Sequence, residues 1–179
     1  MEKIKVLDKQ FRLYIPAGDI RKTVEEMADR INRDFAGKEV IFVGILNGVF
    51  IFAADLFRRI RLDARITFLR LASYQGTHST GEVKQLIGLS EDIRDRIVIV
   101  VEDIVDTGTT LEHIVRQLSS FQPAEIHIAT LLLKPEVYHH HIKLDYVGIE
   151  VPKKFILGYG LDYDGYGRNL ESLYVLDED

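Results

Sequence analysis

The amino-acid sequence predicts an α/β fold in which a central, parallel, twisted sheet is flanked by helices and followed by a small β-rich appendage. Three observations carry this reading. Two nearly continuous aliphatic runs of strand length, Glu39–Leu46 and Arg96–Val101, have the character of strands buried on both faces. Segments with apolar residues at helical spacing alternate with the strands. The portion after Tyr146 is rich in glycine and tyrosine and contains no convincing helix.

Taken in order, residues Phe11–Ile15 read as a short strand, and Asp19–Phe35 as a helix with Ile20, Val24, Met27 and Ile31 on one face. Gly37 ends that helix. Glu39–Leu46 is the first buried strand; the Asn47-Gly48 turn then leads into a helix over Val49–Ile60. Ala64–Ala72 alternates as a strand. Ser73–Gly88 is polar, has glycines at 76, 81 and 88 and few large apolar anchors, and reads as a mobile excursion. Arg96–Val101 is the second buried strand, followed by a short loop, a helix to about Ser120 and a strand over Glu125–Leu133. Residues 1–179 are therefore expected to form one domain, with a core over about 36–145 and an appendage built from the N-terminal segment and about 146–179.

Composition narrows the function classes. Lys and Arg total 23 against 28 Asp and Glu, a formal charge of −5, which argues against a generally basic nucleic-acid-binding surface. Without cysteine there is no disulfide framework, thiolate metal site or cysteine nucleophile, so any metal must sit on oxygen or imidazole. The longest apolar windows fall far short of the roughly 20 residues that span a bilayer, and MEKIKVLDKQ has no apolar signal-peptide core. A cytoplasmic protein without a membrane partner is expected.

The chemistry concentrates in Ile97-Val-Ile-Val-Val-Glu-Asp-Ile-Val-Asp-Thr-Gly-Thr-Thr110, where a hydrophobic strand delivers three carboxylates and a Thr-Gly-Thr-Thr turn into a helix start. Crevices beyond the carboxyl ends of parallel strands bind ligands, and helix N-termini present N–H groups suited to phosphate. Thr107, Thr109 and Thr110 add hydroxyls, while Gly108 permits close backbone approach. Thr109 and Glu112 also have the spacing of a plain capping box. That alternative leaves Glu102, Asp103 and Asp106 unexplained, because three adjacent acids repel one another unless a cation joins them. Mg2+, a hard ion held by few carboxylates together with waters and substrate oxygens, is the simplest candidate. Neither the Gly-x-x-x-x-Gly-Lys-Ser/Thr nor the post-strand Gly-x-Gly-x-x-Gly pattern occurs.

Val100-Val-Glu-Asp-Ile-Val-Asp-Thr-Gly-Thr-Thr110 resembles the phosphoribosyl-pyrophosphate motif of the type I phosphoribosyltransferases. Leu46-Asn-Gly48, Leu69-Arg-Leu-Ala-Ser-Tyr74 before Ser79-Thr-Gly81, Leu133-Lys134 and Lys154-Phe-Ile-Leu-Gly-Tyr-Gly-Leu-Asp-Tyr163 narrow the resemblance to the hypoxanthine or hypoxanthine-guanine branch. The match covers nearly the whole chain. It implies the type I fold with a hood, and purine salvage: a 5-phosphoribosyl group passes from phosphoribosyl pyrophosphate to hypoxanthine, and also guanine, giving the mononucleotide and pyrophosphate with Mg2+ as cofactor. It further implies a homodimer or homotetramer.

By the same resemblance, Glu102 and Asp103 face the ribose hydroxyls and, with Asp162, the metal. Asp106, Thr107, Gly108, Thr109 and Thr110 cradle the 5′-phosphate, and Asp106 also exchanges a proton with purine N7. Lys134 donates to the 6-oxo group, Phe155 stacks on the base and Ile156 offers backbone groups to its edge. Leu46, Asn47 and Gly48 form the pyrophosphate loop, in which the family holds a cis bond. Arg168 and Arg70 approach the pyrophosphate, and Ser73 and Tyr74 belong to a catalytic lid over 73–88 that excludes water. The chain departs from the family pattern at Asn47, where many relatives carry lysine, and at Pro135, where arginine is frequent.

Two other function classes compete. A regulator of the same fold would bind the sugar pyrophosphate and nucleic acid without catalysis, but needs a basic surface. A phospho-acceptor switch domain needs an acidic pair after the first strand, where neither Ile15 nor Leu46 is followed by one. His139-His-His141 lacks ligand spacing and reads as a solvated surface run.

Overall fold

The computed structural model describes residues 3–72, 85–139 and 141–177. Thirteen elements follow one another: β1 (Lys3–Val6), β2 (Lys9–Ile15), α1 (Ala17–Asp34), β3 (Glu39–Leu46), α2 (Phe50–Phe57), β4 (Asp63–Ala72), β5 (Gln85–Ile87), β6 (Ile97–Val105), α3 (Thr109–Ser119), β7 (Glu125–Leu133), β8 (Tyr146–Glu150), β9 (Ile156–Leu157) and β10 (Leu173–Leu176). They form a six-stranded sheet in the order β5-β4-β3-β6-β7-β8 and a four-stranded sheet in the order β1-β2-β10-β9. In the larger sheet every ladder is parallel except β4 with β5. The smaller sheet is antiparallel throughout.

The aliphatic runs become central strands because both of their faces are covered. Along β3, Val40 and Phe42 enter a core shared with α1 and α2, whereas Ile41, Val43 and Ile45 enter the opposite core, shared with α3. Along β6, Ile99 and Val101 face the first core, and Val98 and Val100 the second. Full burial of one such side chain stabilises the fold by roughly 1.5–3 kcal/mol. Helix α1 contributes the stripe Ile20, Val24, Met27 and Ile31, and α3 contributes Leu111, Ile114 and Leu118.

β3 and β7 occupy the residues their sequences predict. Elsewhere the structure corrects the sequence reading. β1 precedes the expected first strand, and β6 runs on to Val105, so Glu102 and Asp103 belong to the strand rather than to a loop. The backbone ladder explains this: Glu102 pairs with Thr130 and Ile104 with Leu132, whatever their side chains. β8 lies in the large sheet, in register with β7 from Ala129 to Leu133. Its Tyr146 hydroxyl donates to Asp34 of α1 at 2.6 Å. Helix α1 and residues 146–150 thus pack with the larger sheet. Residues 85–87, at the end of the stretch read as an excursion, form β5. Ser73, Tyr74 and the Ser79-Thr-Gly81 segment lie outside the described residues. No helix among the described residues is long and apolar enough to cross a membrane.

Candidate active site

The carboxyl ends of the parallel strands open into one crevice. Its walls come from the β3–α2 turn (Leu46, Asn47, Gly48), the end of β6 with the following turn (Glu102, Asp103, Asp106, Thr107, Gly108, Thr110), and Asp162 and Arg168 from the smaller sheet's connecting segment. Residues from three distant parts of the chain thus meet where strand polarity places a ligand.

Glu102 is only 6% exposed, and its carboxylate has no hydrogen-bond or ion-pair partner among the described residues. Burial, reinforced by the charge of Asp103, holds its carboxyl well above the usual range. Asp103 is pushed up to about 6, first by burial; the backbone N–H of Ile104, donating to Oδ1 at 2.7 Å, and the charge of Arg168 work against that rise. Asp162 adds to the repulsion. The acids are crowded on a central strand, and Glu102 lacks a donor to offset its burial, an arrangement that disfavours two negative charges side by side. Among the described residues no three His, Cys, Asp or Glu side chains converge into a ready-made metal site. The donor set fits a hard divalent ion that draws its remaining ligands from water and substrate.

Beyond β6 the chain turns through Gly108, whose φ of 93° is the left-handed value that favours glycine, and Gly108 is the N-cap of α3. No side chain caps the helix at that residue. The Thr107 hydroxyl instead accepts from the Thr109 N–H at 3.4 Å and lies 3.2 Å from the Thr109 hydroxyl. Thr107, Gly108 and Thr110, at the positive end of an eleven-residue helix, thus line one side of the crevice, a setting for an oxyanion, whereas Thr109 is not part of its wall.

At the crevice edge the Lys134 ammonium donates to Asp106 Oδ2 at 3.2 Å. Lys134 is held from behind, its backbone N–H donating to Val105 O at 3.0 Å, so the end of β7 is tied to the end of β6. The Leu46-Asn47 peptide is cis. Gly48 follows, packed so closely on Asp103 that a Cβ would overlap the carboxylate. From the other side Gly160, at φ 98°, presses on the Gly48 carbonyl, where a Cβ would also collide. Arg168 secures this turn: Nη1 donates to Gly160 O at 2.7 Å and Nη2 pairs with Asp162 Oδ1 at 2.8 Å.

The structure does not bring every sequence-selected residue to the crevice wall. Arg70 is paired in register with Leu46 on β4, but its side chain is exposed. Ile156 is buried in β9, and Phe155 is 43% exposed, resting against Phe11 and Tyr163 with ring centroids 6.2 and 5.9 Å away. Sequence reasoning missed Gly160 and Tyr159. Their signal was present in Leu157-Gly-Tyr-Gly-Leu161, whose alternating glycines mark left-handed backbone, but the partners they meet are remote in sequence.

A family model described as the phosphoribosyl transferase domain matches residues 16–164. The hypoxanthine-guanine phosphoribosyltransferase of Aquifex aeolicus is 36% identical over 176 residues, covering 97% of this chain and 99% of the relative. That of Staphylococcus aureus is 40% identical over 159 residues, covering 88% and 89%. Among solved structures, a hypoxanthine-guanine phosphoribosyltransferase from Bacillus anthracis superposes with a TM-score of 0.82 at 34% identity, over 93% of this chain and 96% of that one.

Proposed function

This chain belongs to the hypoxanthine-guanine phosphoribosyltransferase family, and from that premise we propose how its crevice carries out magnesium-dependent purine salvage. The reaction joins purine N9 to C1 of phosphoribosyl pyrophosphate and releases pyrophosphate with inversion. The observation that carries the reading is the juxtaposition of a buried, unpartnered carboxylate, Glu102, and its half-buried neighbour Asp103 with the threonine-lined start of α3.

In this reading Thr107, Gly108, Thr109 and Thr110 hold the 5′-phosphate through hydroxyls and the helix terminus. Glu102 and Asp103 face the ribose hydroxyls, where their charge stabilises the positive character that develops at C1. The backbone of Leu46, Asn47 and Gly48 borders the pyrophosphate. Asn47 brings no charge to it, so positive charge on this side comes from Arg168, with Arg70 as a second contributor. Asp103 and Asp162, together with Glu102 on the ribose side, are the residues that would hold Mg2+. When bound, that ion neutralises the departing pyrophosphate.

Asp106, half exposed at the mouth, takes the proton from N7 as N9 attacks. Lys134 donates to the 6-oxo group, a contact that adenine cannot accept because its amino group is a donor. Phe155 supplies an aromatic face and Ile156 backbone groups for the base. Cytoplasmic location and a homodimer or homotetramer complete the proposal, supported by the family resemblance; light scattering on the purified chain reads the assembly.

A spectrophotometric assay of hypoxanthine, guanine, xanthine and adenine with phosphoribosyl pyrophosphate tests the reading. Turnover of the 6-oxopurines that is abolished by chelating Mg2+ and restored by adding it is the expected result. Turnover that survives chelation overturns the metal assignment.

A further inference from the structure

We propose that Asp55 is a positioning residue for phosphoribosyl transfer: through the Tyr159 hydroxyl it holds the left-handed turn that seats Gly160 against the pyrophosphate loop and carries Asp162. This inference rests on the site reading above and extends it to a residue outside the crevice.

The argument begins from a backbone anomaly. Gly158, Tyr159 and Gly160 have φ values of 104°, 46° and 98°, three successive left-handed residues. Glycine adopts such values without penalty, whereas a bulky side chain does so only where its surroundings over-determine it, and such residues cluster at functional sites. The surroundings of Tyr159 do this. Its N–H donates to Leu170 O at 2.8 Å, its ring is 7% exposed, and its hydroxyl donates to Asp55 Oδ2 at 2.6 Å. Asp55 is itself held on α2, where its Oδ1 accepts from Arg58 at 2.6 Å.

The turn so fixed has a direct line to the reaction. Gly160 follows Tyr159 and packs on the Gly48 carbonyl, with no room for a Cβ between them. The Gly160 carbonyl accepts from Arg168, which pairs with Asp162. Two residues on, Asp162 stands close enough to Asp103 for their charges to interact. Helix α2 also leads directly out of the Gly48 turn, so Asp55 ties the two walls of the pyrophosphate end to a single helix. Loss of the tie lets Gly160 and Asp162 move relative to Gly48 and Asp103, which weakens the grip on the sugar pyrophosphate and leaves the purine end at Lys134 in place.

Steady-state kinetics on the full chain test this. Tyr159→Phe and Asp55→Ala are each expected to raise KM for phosphoribosyl pyrophosphate roughly tenfold, with KM for hypoxanthine within about twofold of the parent. Asp55→Asn, whose amide oxygen still accepts from the hydroxyl, stays within about threefold. The double variant Asp55→Ala/Tyr159→Phe is no worse than either single one, because both remove the same contact. An unmoved KM for the sugar pyrophosphate in Tyr159→Phe, an equal rise for hypoxanthine, or additive effects in the double variant overturns the proposal; Tyr159→Phe is isosteric, so it decides even if Asp55→Ala does not fold. Asp162→Ala measured alongside separates the two readings. An unmoved KM there overturns the role of Asp162 in the site, whereas an effect there with none in Tyr159→Phe overturns the positioning role of Asp55 alone.

Discussion

The ammonium of Lys134 and the carboxylate of Asp106 form an ion pair of 3.2 Å across the mouth of the crevice, one at the end of β7 and the other beyond the end of β6. Each is the group assigned to one edge of the purine: Lys134 to the 6-oxo oxygen, Asp106 to N7. The two atoms are neighbours on a 6-oxopurine, so on the proposed reading a base entering between these side chains would exchange one ion pair for two hydrogen bonds.

Asp106→Asn keeps the size and polarity of the side chain but removes the proton acceptor. Turnover is expected to fall by on the order of 10²–10⁴, with the affinity for phosphoribosyl pyrophosphate largely unchanged, as read by single-turnover kinetics beside titration calorimetry. Unchanged turnover would remove Asp106 from the proton transfer.

Lys134→Ala should raise KM for hypoxanthine and guanine by roughly 10- to 100-fold, the scale of a lost charge-assisted hydrogen bond. Discrimination against adenine narrows by the same factor, because the discarded contact is the one that adenine cannot make. A parallel loss for all bases in competition assays would assign Lys134 to general binding.

Gly48→Ala places a methyl group onto the Asp103 carboxylate. Either the turn or the acid must shift, and displacements near 1 Å in a reacting constellation can cost on the order of 10²-fold in rate. Turnover should fall by about that factor while the melting temperature changes little, since the affected atoms line a crevice rather than fill a core. Gly18→Ala provides the control, since an added Cβ there meets nothing within 4 Å on an ordinary helical backbone in α1.

Asp103 gives the free protein a distinctive pH dependence. Its carboxyl is held at about 6 in the folded chain, well above the ordinary aspartate range, so the folded state keeps its proton at pH values where the unfolded state has lost it. The stability this group contributes is complete below about pH 4 and is lost as pH rises through about 6. Glu102, displaced in the same direction, adds to the same slope. Asp103→Asn should flatten the dependence and raise the melting temperature above pH 6 by on the order of several degrees, as read by calorimetry without ligands. A steeper slope in the variant would contradict the assignment.

The legibility of the sequence follows from where its physics is local. β3 and β7 were readable to the residue because continuous aliphatic runs between polar ends leave one placement that buries both faces. The acidic-threonine turn was readable because strand, charge cluster and helix start are contiguous. The continuation of β6 through Glu102 and Asp103 was not, since two acids resemble a loop until the β7 ladder opposite them is known. β8 falls in the stretch read as the appendage because the chain from Tyr146 onward is rich in glycine and tyrosine; Gly148 in fact allows Leu131 O and Thr23 to approach closely. Tyr159 and Asp55, separated by 104 positions, leave no local trace of their contact.

Because Glu102 and Asp103 sit within the ladder of the central strand, the polypeptide cannot ease their mutual aversion by swinging one aside as a surface loop would. What the Ile104 N–H and Arg168 leave uncompensated is relieved by borrowing a proton or admitting a guest of opposite sign. On the proposed reading the sugar pyrophosphate and Mg2+ together relieve that repulsion, so that heat resistance in the presence of both should exceed that of the bare polypeptide by more than either additive achieves singly.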